Sequence, residues 1–144
     1  MALTTDVIIR TINKDFYARR HFAGVFPRNV LPQIKCYPTS IIVNTRPMDK
    51  KGEHYFDKNR FCHFFDSFGF SPYDYEMENF VKMYSSDFDF NSTQLQSFTS
   101  NTCGHYCVQF ILLKSRGFSL LDIISFLNNN NNFNLNDVLV RNII

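Results

Sequence analysis

The chain has no tryptophan, only five glycines and five prolines, and almost no net charge: 15 basic against 13 acidic residues leave +2. A balance this even argues against a dedicated nucleic-acid binder. The basic clusters Arg19-Arg20, Lys50-Lys51 and Lys114 to Arg116 are short and read as solvated surface. No apolar run approaches the length of a membrane span, Phe110 to Leu113 being among the longest. The first residues, Met1 to Asp6, lack the basic start and apolar core of a signal peptide. Four cysteines (Cys36, Cys62, Cys103 and Cys107) share no repeating spacing and suggest no disulfide framework. A soluble protein of a reducing compartment, with no membrane association, is the expectation.

Phenylalanine is what the chain has in excess: 17 Phe and 7 Tyr in 144 residues point to a Phe-rich core in one domain spanning 1–144. Thr4-Thr5-Asp6 can cap a helix bearing Ile8, Ile9 and Ile12. Phe22 to Pro32, with Gly24 and Pro27, reads as irregular, and Thr39 to Asn44 as a short buried strand. A polar loop from Asn44 to Gly52 leads to His54. Tyr55-Phe56 and Phe61 to Phe65 flank the turn-rich Asp57-Lys58-Asn59-Arg60 and form a hairpin. Ser71-Pro72 starts a helix that continues through Tyr73, Met77, Phe80, Val81 and Tyr84. Asp87 to Leu95 is ambiguous between strand and loop. A helix opens at Cys103 and stops at Gly117, and Ser119-x-x-Asp122 caps another through Leu127. Asn128 to Asn132 reads as a polar spacer before a last helical turn from Asn136-Asp137.

The run Asn101-Thr102-Cys103-Gly104-His105-Tyr106-Cys107 carries the chemistry. Thiolate rather than thiol attacks carbonyls, and unpaired N–H groups at a helix start favour negative charge. Gly104 removes a side chain where a substrate must approach, and Gln96 offers an N–H donor for the oxygen of a tetrahedral intermediate. His54 could act as base and Asp66 could hold its imidazole in one tautomer. Each residue also has a plain structural reading: Cys103 as a small buried hydrophobe, His54 as a surface histidine, Gln96 as a glutamine after a strand. Cys107, one turn deeper, reads as core. His63 points to the opposite face from Asp66, and His105 lies about 200° round the helix from Cys103. Cys103-x-His105-x-Cys107 does not converge on a zinc ion from one helix, and no cofactor is implied.

The order His54, Asp66, Gln96, Cys103-Gly104 resembles the adenovirus protease (adenain) family and its relatives in virophages and virus-like DNA transposons. More distantly it resembles the deconjugating proteases of ubiquitin-like modifiers. The likeness runs from Phe22-Ala23-Gly24-Val25-Phe26 through Ile41 to Thr45, Gly52-Glu53-His54 and Phe65 to Phe70, and on to Gln96 and Asn101 to Gly104. It implies Cys103 as nucleophile, His54 as base, Asp66 as orienting acid and Gln96 as oxyanion donor. The implied fold is α+β, a central mixed sheet packed on the helix that starts at Cys103. The implied substrates are capsid or core precursors cut after small residues such as glycine, within a virion or an infected cell. The competing readings are a deconjugase and a non-catalytic interaction module of the same fold.

Three departures from the family stand out. Tyr55 replaces the tryptophan that often follows the histidine. Ser85 stands where the cysteine that bonds the activating peptide would fall, so that route is not carried over, and a weak DNA or peptide activator stays open. The His54–Asp66 hairpin is several residues short. A turn at Asp57 to Arg60 would set His54 opposite His63. A turn around Asn59-Arg60-Phe61 would pair His54 with Asp66, and this second register is the expectation, because Asp66 otherwise lacks a partner on a buried face.

Overall fold

The computed structural model describes residues 2–44 and 51–142. Its architecture is α+β, a five-stranded mixed sheet in the order β1-β2-β3-β4-β5 with helices on both faces. The strands are β1 (Phe22–Pro27), β2 (Thr39–Asn44), β3 (Lys51–Phe56), β4 (Phe61–Asp66) and β5 (Asp87–Phe90). The two outer pairs are parallel, and β2-β3-β4 is an antiparallel meander. The helices are α1 (Thr5–Asn13), α2 (Glu78–Tyr84), α3 (Cys103–Lys114), α4 (Leu120–Leu127) and α5 (Phe133–Arg141).

Local chemistry accounts for most boundaries. Thr4 Oγ1 accepts the Val7 N–H at the head of α1, and Ser119 Oγ accepts the Asp122 N–H at the head of α4. Gly117, at φ 92°, ends the segment after α3 in a conformation that other residues resist.

Four expectations need correction. Phe22–Pro27 is a strand: it is a half-exposed edge, so alternation is weak, and Gly24 at φ 139° sits beside the bulge in its ladder. Pro27 ends that edge strand, where it is tolerated. The helix expected from Ser71 is broken, because Pro72–Tyr75 is one 3₁₀ turn, Glu76 turns left-handed at φ 60°, and α2 starts only at Glu78. The asparagine run is more than a spacer: Asn132 accepts the Leu135 N–H and caps α5, which begins at Phe133. Lys51 is the buried first residue of β3 rather than solvated surface, while residues 45–50 of the expected loop lie outside the described residues.

The sheet separates two apolar clusters. On one face Ile42, Tyr55 and Phe65 meet Tyr106, Cys107, Phe110 and Ile111 of α3, which is in turn covered by α1, α4 and α5. On the other, Ile41, Val43, Phe56 and Phe64 are covered by Tyr75, Met77 and Val81. Every residue of α3 from Cys103 to Ile111 is buried, as expected of a helix apolar on nearly all sides. Phe65 and Phe110 stack with centroids 4.7 Å apart, joining sheet to helix. Phe110→Ala should therefore cost about 3–5 kcal/mol in urea unfolding; a loss below about 1 kcal/mol would mean that α3 is not the keystone of this core.

Candidate active site

The β3–β4 hairpin fixes where the candidate residues stand. Asp57 N–H donates to Phe61 O, leaving Lys58-Asn59-Arg60 as a three-residue loop with Arg60 at φ 66°. His54 thereby pairs with Phe64, Tyr55 with His63, and Gly52 with Asp66. The expected pairing of His54 with Asp66 does not occur, nor does the alternative with His63. Asp66 lies two residues beyond the partner of His54, about 7 Å along the strand.

His54 points away from α3. It follows the alternation of Phe56, and its ring lies among Phe56, Phe64 and Phe80, the nearest centroid 4.7 Å away. The imidazole is fully buried, neither nitrogen has a hydrogen-bond partner, and burial holds its pKa down at about 3. It is a neutral ring in an aromatic cage and makes no hydrogen bond to the Asp66 carboxylate. Glu53 faces the other way, toward α3. Its carboxyl is also fully buried without a hydrogen-bond partner, and burial pushes its pKa well above the usual carboxylate range.

Three of the four expected residues do gather at one end of the sheet. Asp66 ends β4, where its carboxylate accepts the Tyr75 hydroxyl at 2.7 Å and the Phe70 N–H at 3.0 Å. Ser67 then ties in Gln96: the Gln96 N–H donates to Ser67 O, and the Ser67 hydroxyl donates to Gln96 Oε1. Gln96 Nε2 donates to Ser100 O and Oγ, and Ser100 Oγ lies 3.0 Å from Thr102 Oγ1, directly before Cys103. Gln96 is buried with its N–H groups turned onto Ser100, so an oxyanion role requires that amide to exchange partners.

Cys103 opens α3 and is 2% exposed. The space beside Gly104 is not an open approach: a Cβ there would lie 3.2 Å from Ile8 Cδ1 and 3.4 Å from Leu3 Cβ. The glycine lets α1 cross α3 closely. Cys107 is core, its thiol donating to Lys51 O at 3.5 Å and pushed well up in pKa, chiefly by burial. His105 is buried, and its pKa is lowered by burial first and then by positive charge that includes Arg141. His63 lies between two carboxylates, Asp89 at 2.9 Å and Asp57 at 3.2 Å, near the hairpin loop.

Sequence reasoning missed the residues that hold the Cys103 loop. Asp137 of α5 accepts the Tyr106 hydroxyl at 2.8 Å, the Thr102 hydroxyl at 3.1 Å and the Ser97 N–H at 3.3 Å. Its neighbour Asn136 donates to Leu95 O at 3.1 Å. The only available signal was a polar pair in an otherwise apolar helical pattern. Asp137→Ala should cost about 2–4 kcal/mol, because it strands the buried Tyr106 and Thr102 hydroxyls; a change below about 0.5 kcal/mol in urea unfolding would remove it as the anchor.

Glu53 and His54 also make opposed demands on pH. His54 titrates lower when folded than its ordinary 6.5, so its contribution is fully present above that value and is lost as pH falls toward about 3. Glu53 titrates higher when folded than its ordinary 4.5, so its contribution is fully present below that value and is lost as pH rises above it. Stability measured as wild type minus His54→Phe should fall on acidification below about pH 6.5, and wild type minus Glu53→Leu should fall as pH rises above about 4.5. Parallel stability curves for the three proteins between pH 4 and 9 would contradict both assignments.

No protein-family model and no curated protein matches the sequence.

Proposed function

We propose that this chain is a thiol endopeptidase of the adenain type that processes capsid or core precursors of a virus or virus-like element. The observation that supports the reading is the run of hydrogen bonds from Ser67, which follows Asp66 at the end of β4, through the Gln96 amide and Ser100 to Thr102, which precedes Cys103. In the proposed reaction the His54 imidazole leaves its aromatic cage and takes the Cys103 thiol proton, and the Cys103 sulfur adds to the peptide carbonyl carbon. The C–N bond then breaks, the amine leaves with a proton delivered by the His54 imidazolium, and water hydrolyses the thioester. Cleavage after small residues and action inside a virion or infected cell belong to the same proposal.

The direction of His54 favours a second reading, a non-catalytic interaction module that keeps the peptidase fold. Labelling of the full chain with a peptide carrying a thiol-reactive group separates the two, with the modified cysteine located by mass spectrometry. The peptidase reading expects modification at Cys103, lost in Cys103→Ala and in His54→Ala, while buried Cys62 and Cys107 stay unmodified. Modification confined to exposed Cys36 would leave the module reading. Gln96→Ala should slow turnover by about a hundred- to a thousand-fold; an unchanged rate would place Gln96 outside the reaction.

A further inference from the structure

Helix α5 reverses the usual arrangement of a surface helix, which buries an apolar stripe and leaves its polar side wet. At about 100° per residue, Asn136, Asp137 and Val140 share one face, and that face is buried. Its two polar residues form the clamp on Leu95, Thr102 and Tyr106. Leu135, Val138 and Leu139 fall on the opposite face and are 42–44% exposed. Beside them α4 and α5 form an open groove of about 390 Å³, lined by Phe126, Leu127, Leu139 and Val140 and by Asn129 and Asn142. Leu139 belongs to both, so stripe and groove make one continuous surface. With Phe126 itself 61% exposed, Phe126 and the stripe present on the order of 400 Å² to solvent, the size of patch that marks an interaction site on a monomer.

Charge decides which partner fits. The charged residues of α4 and α5 are Asp122, Asp137 and Arg141. Asp137 is buried in the clamp, Arg141 lies about 160° round α5 from Leu139, and Asp122 stands a full turn of α4 before Phe126. Stripe and groove are therefore neutral. An anionic membrane selects a basic face, and a charged peptide would find no counter-charge here. A second copy of the chain suits this surface, because a twofold interface sets residues near their own counterparts and so favours apolar groups over like charges. The asparagine amides carry both donor and acceptor, so each can pair with its own copy.

We propose that the outer face of α5 and the groove beside it form a homodimer interface, two copies of α5 crossing antiparallel about a twofold axis near Val138 and Leu139. In that arrangement Leu135 of one copy comes level with Asn142 of the other, where the groove opens to receive it. Each copy brings roughly half the area that one partner contributes to a standard interface, about 800 Å², so the dimer is weak and dissociates on dilution. The contact requires no catalytic activity. It does hold α5 from outside while Asp137 reaches Thr102 and Tyr106 from inside.

Sedimentation velocity of the full chain between about 1 μM and about 1 mM should show a monomer–dimer equilibrium. Val138→Glu and Leu135→Glu each set like charges together in the contact and should weaken it by about thirtyfold or more. Leu121→Glu is the control: Leu121 is 75% exposed but lies about 140° round α4 from Phe126, so its dimer should match wild type. Mixing Val138→Glu with Val138→Lys should restore association, because the axis sets position 138 near its own counterpart. Should a variant fail to fold, hydrogen exchange of wild type reads the same contact, with α5 amides slowing as concentration rises. A wild-type chain that stays monomeric throughout overturns the interface, and so does one that instead sediments with phosphatidylserine vesicles. A dimer that Leu121→Glu weakens as much as Val138→Glu, or that neither α5 variant disturbs, overturns it too. Protection gained elsewhere with α5 unchanged has the same meaning, and a Glu–Lys mixture that stays monomeric overturns the antiparallel crossing.

Discussion

The loop from Asp57 to Phe61 is the constraint on which the rest of the site depends. The Asp57 carboxylate accepts the Asn59 N–H at 2.8 Å and the Phe61 N–H at 3.1 Å, and Arg60 supplies the left-handed residue that a three-residue hairpin loop requires. Strand pairing has period two, so setting Asp57 opposite Phe61 dictates every partner down to Gly52 and Asp66. A local turn preference therefore decides where an imidazole stands three pairs away. No contact made by His54 compensates, because its cage offers aromatic edges and faces but no hydrogen-bond partner.

The second constraint is the enclosure of α3. A helix buried from Cys103 to Ile111 can be held only by elements on every side, and it draws α1, α4, α5 and the sheet around it. Its first turn is anchored from the far end of the chain. Asp137 reaches Thr102 and Tyr106, while Asn136 reaches Leu95, so α5 acts as a clamp on the segment from Leu95 to Cys103. The polar groups in this clamp are buried and paired, the condition under which such groups specify one local geometry rather than several.

The elements legible in the sequence were those with strong local signals. Thr4 and Ser119 caps, the β-branched run at Thr39 to Asn44, and the start of α3 at Cys103 follow from side-chain chemistry within a few residues. β1 was missed because a half-exposed edge strand with a glycine bulge has no clean period. Hairpin pairing was missed because several short turns fit within the polar stretch from Asp57 to Phe61, and the choice lay in two hydrogen bonds to one carboxylate. At the site, Asp66, Gln96 and Cys103 were legible as an order of residue types, whereas the hydrogen bonds from Ser67 through Gln96 and Ser100 to Thr102 were not. The clamp by Asn136 and Asp137 was not, since nothing local ties position 137 to position 102.

Glu53 and His54 sit between Gly52 and the apolar pair Tyr55-Phe56, on a strand whose neighbours supply Ile42, Ile41, Phe65 and Phe64 as cross-strand partners. In this register, apolar residues at both positions would serve better, because an unpaired polar group in such surroundings opposes folding whereas a well-packed apolar one supports it. Within the described sheet the conflict is confined to two consecutive residues. Buried polar atoms without a hydrogen-bond partner recur at His105 and Gln109 of α3, so the disagreement is shared between the central strand and the helix packed on it. The end of β4 carries a second mismatch. Asp66 holds a carboxylate at the sheet end nearest the start of α3, one strand from the imidazole and two residues out of step with it. The mismatch lies along the strand, and because side chains alternate with period two, both His54 and its neighbour Gly52 two residues before it stay on the face away from α3.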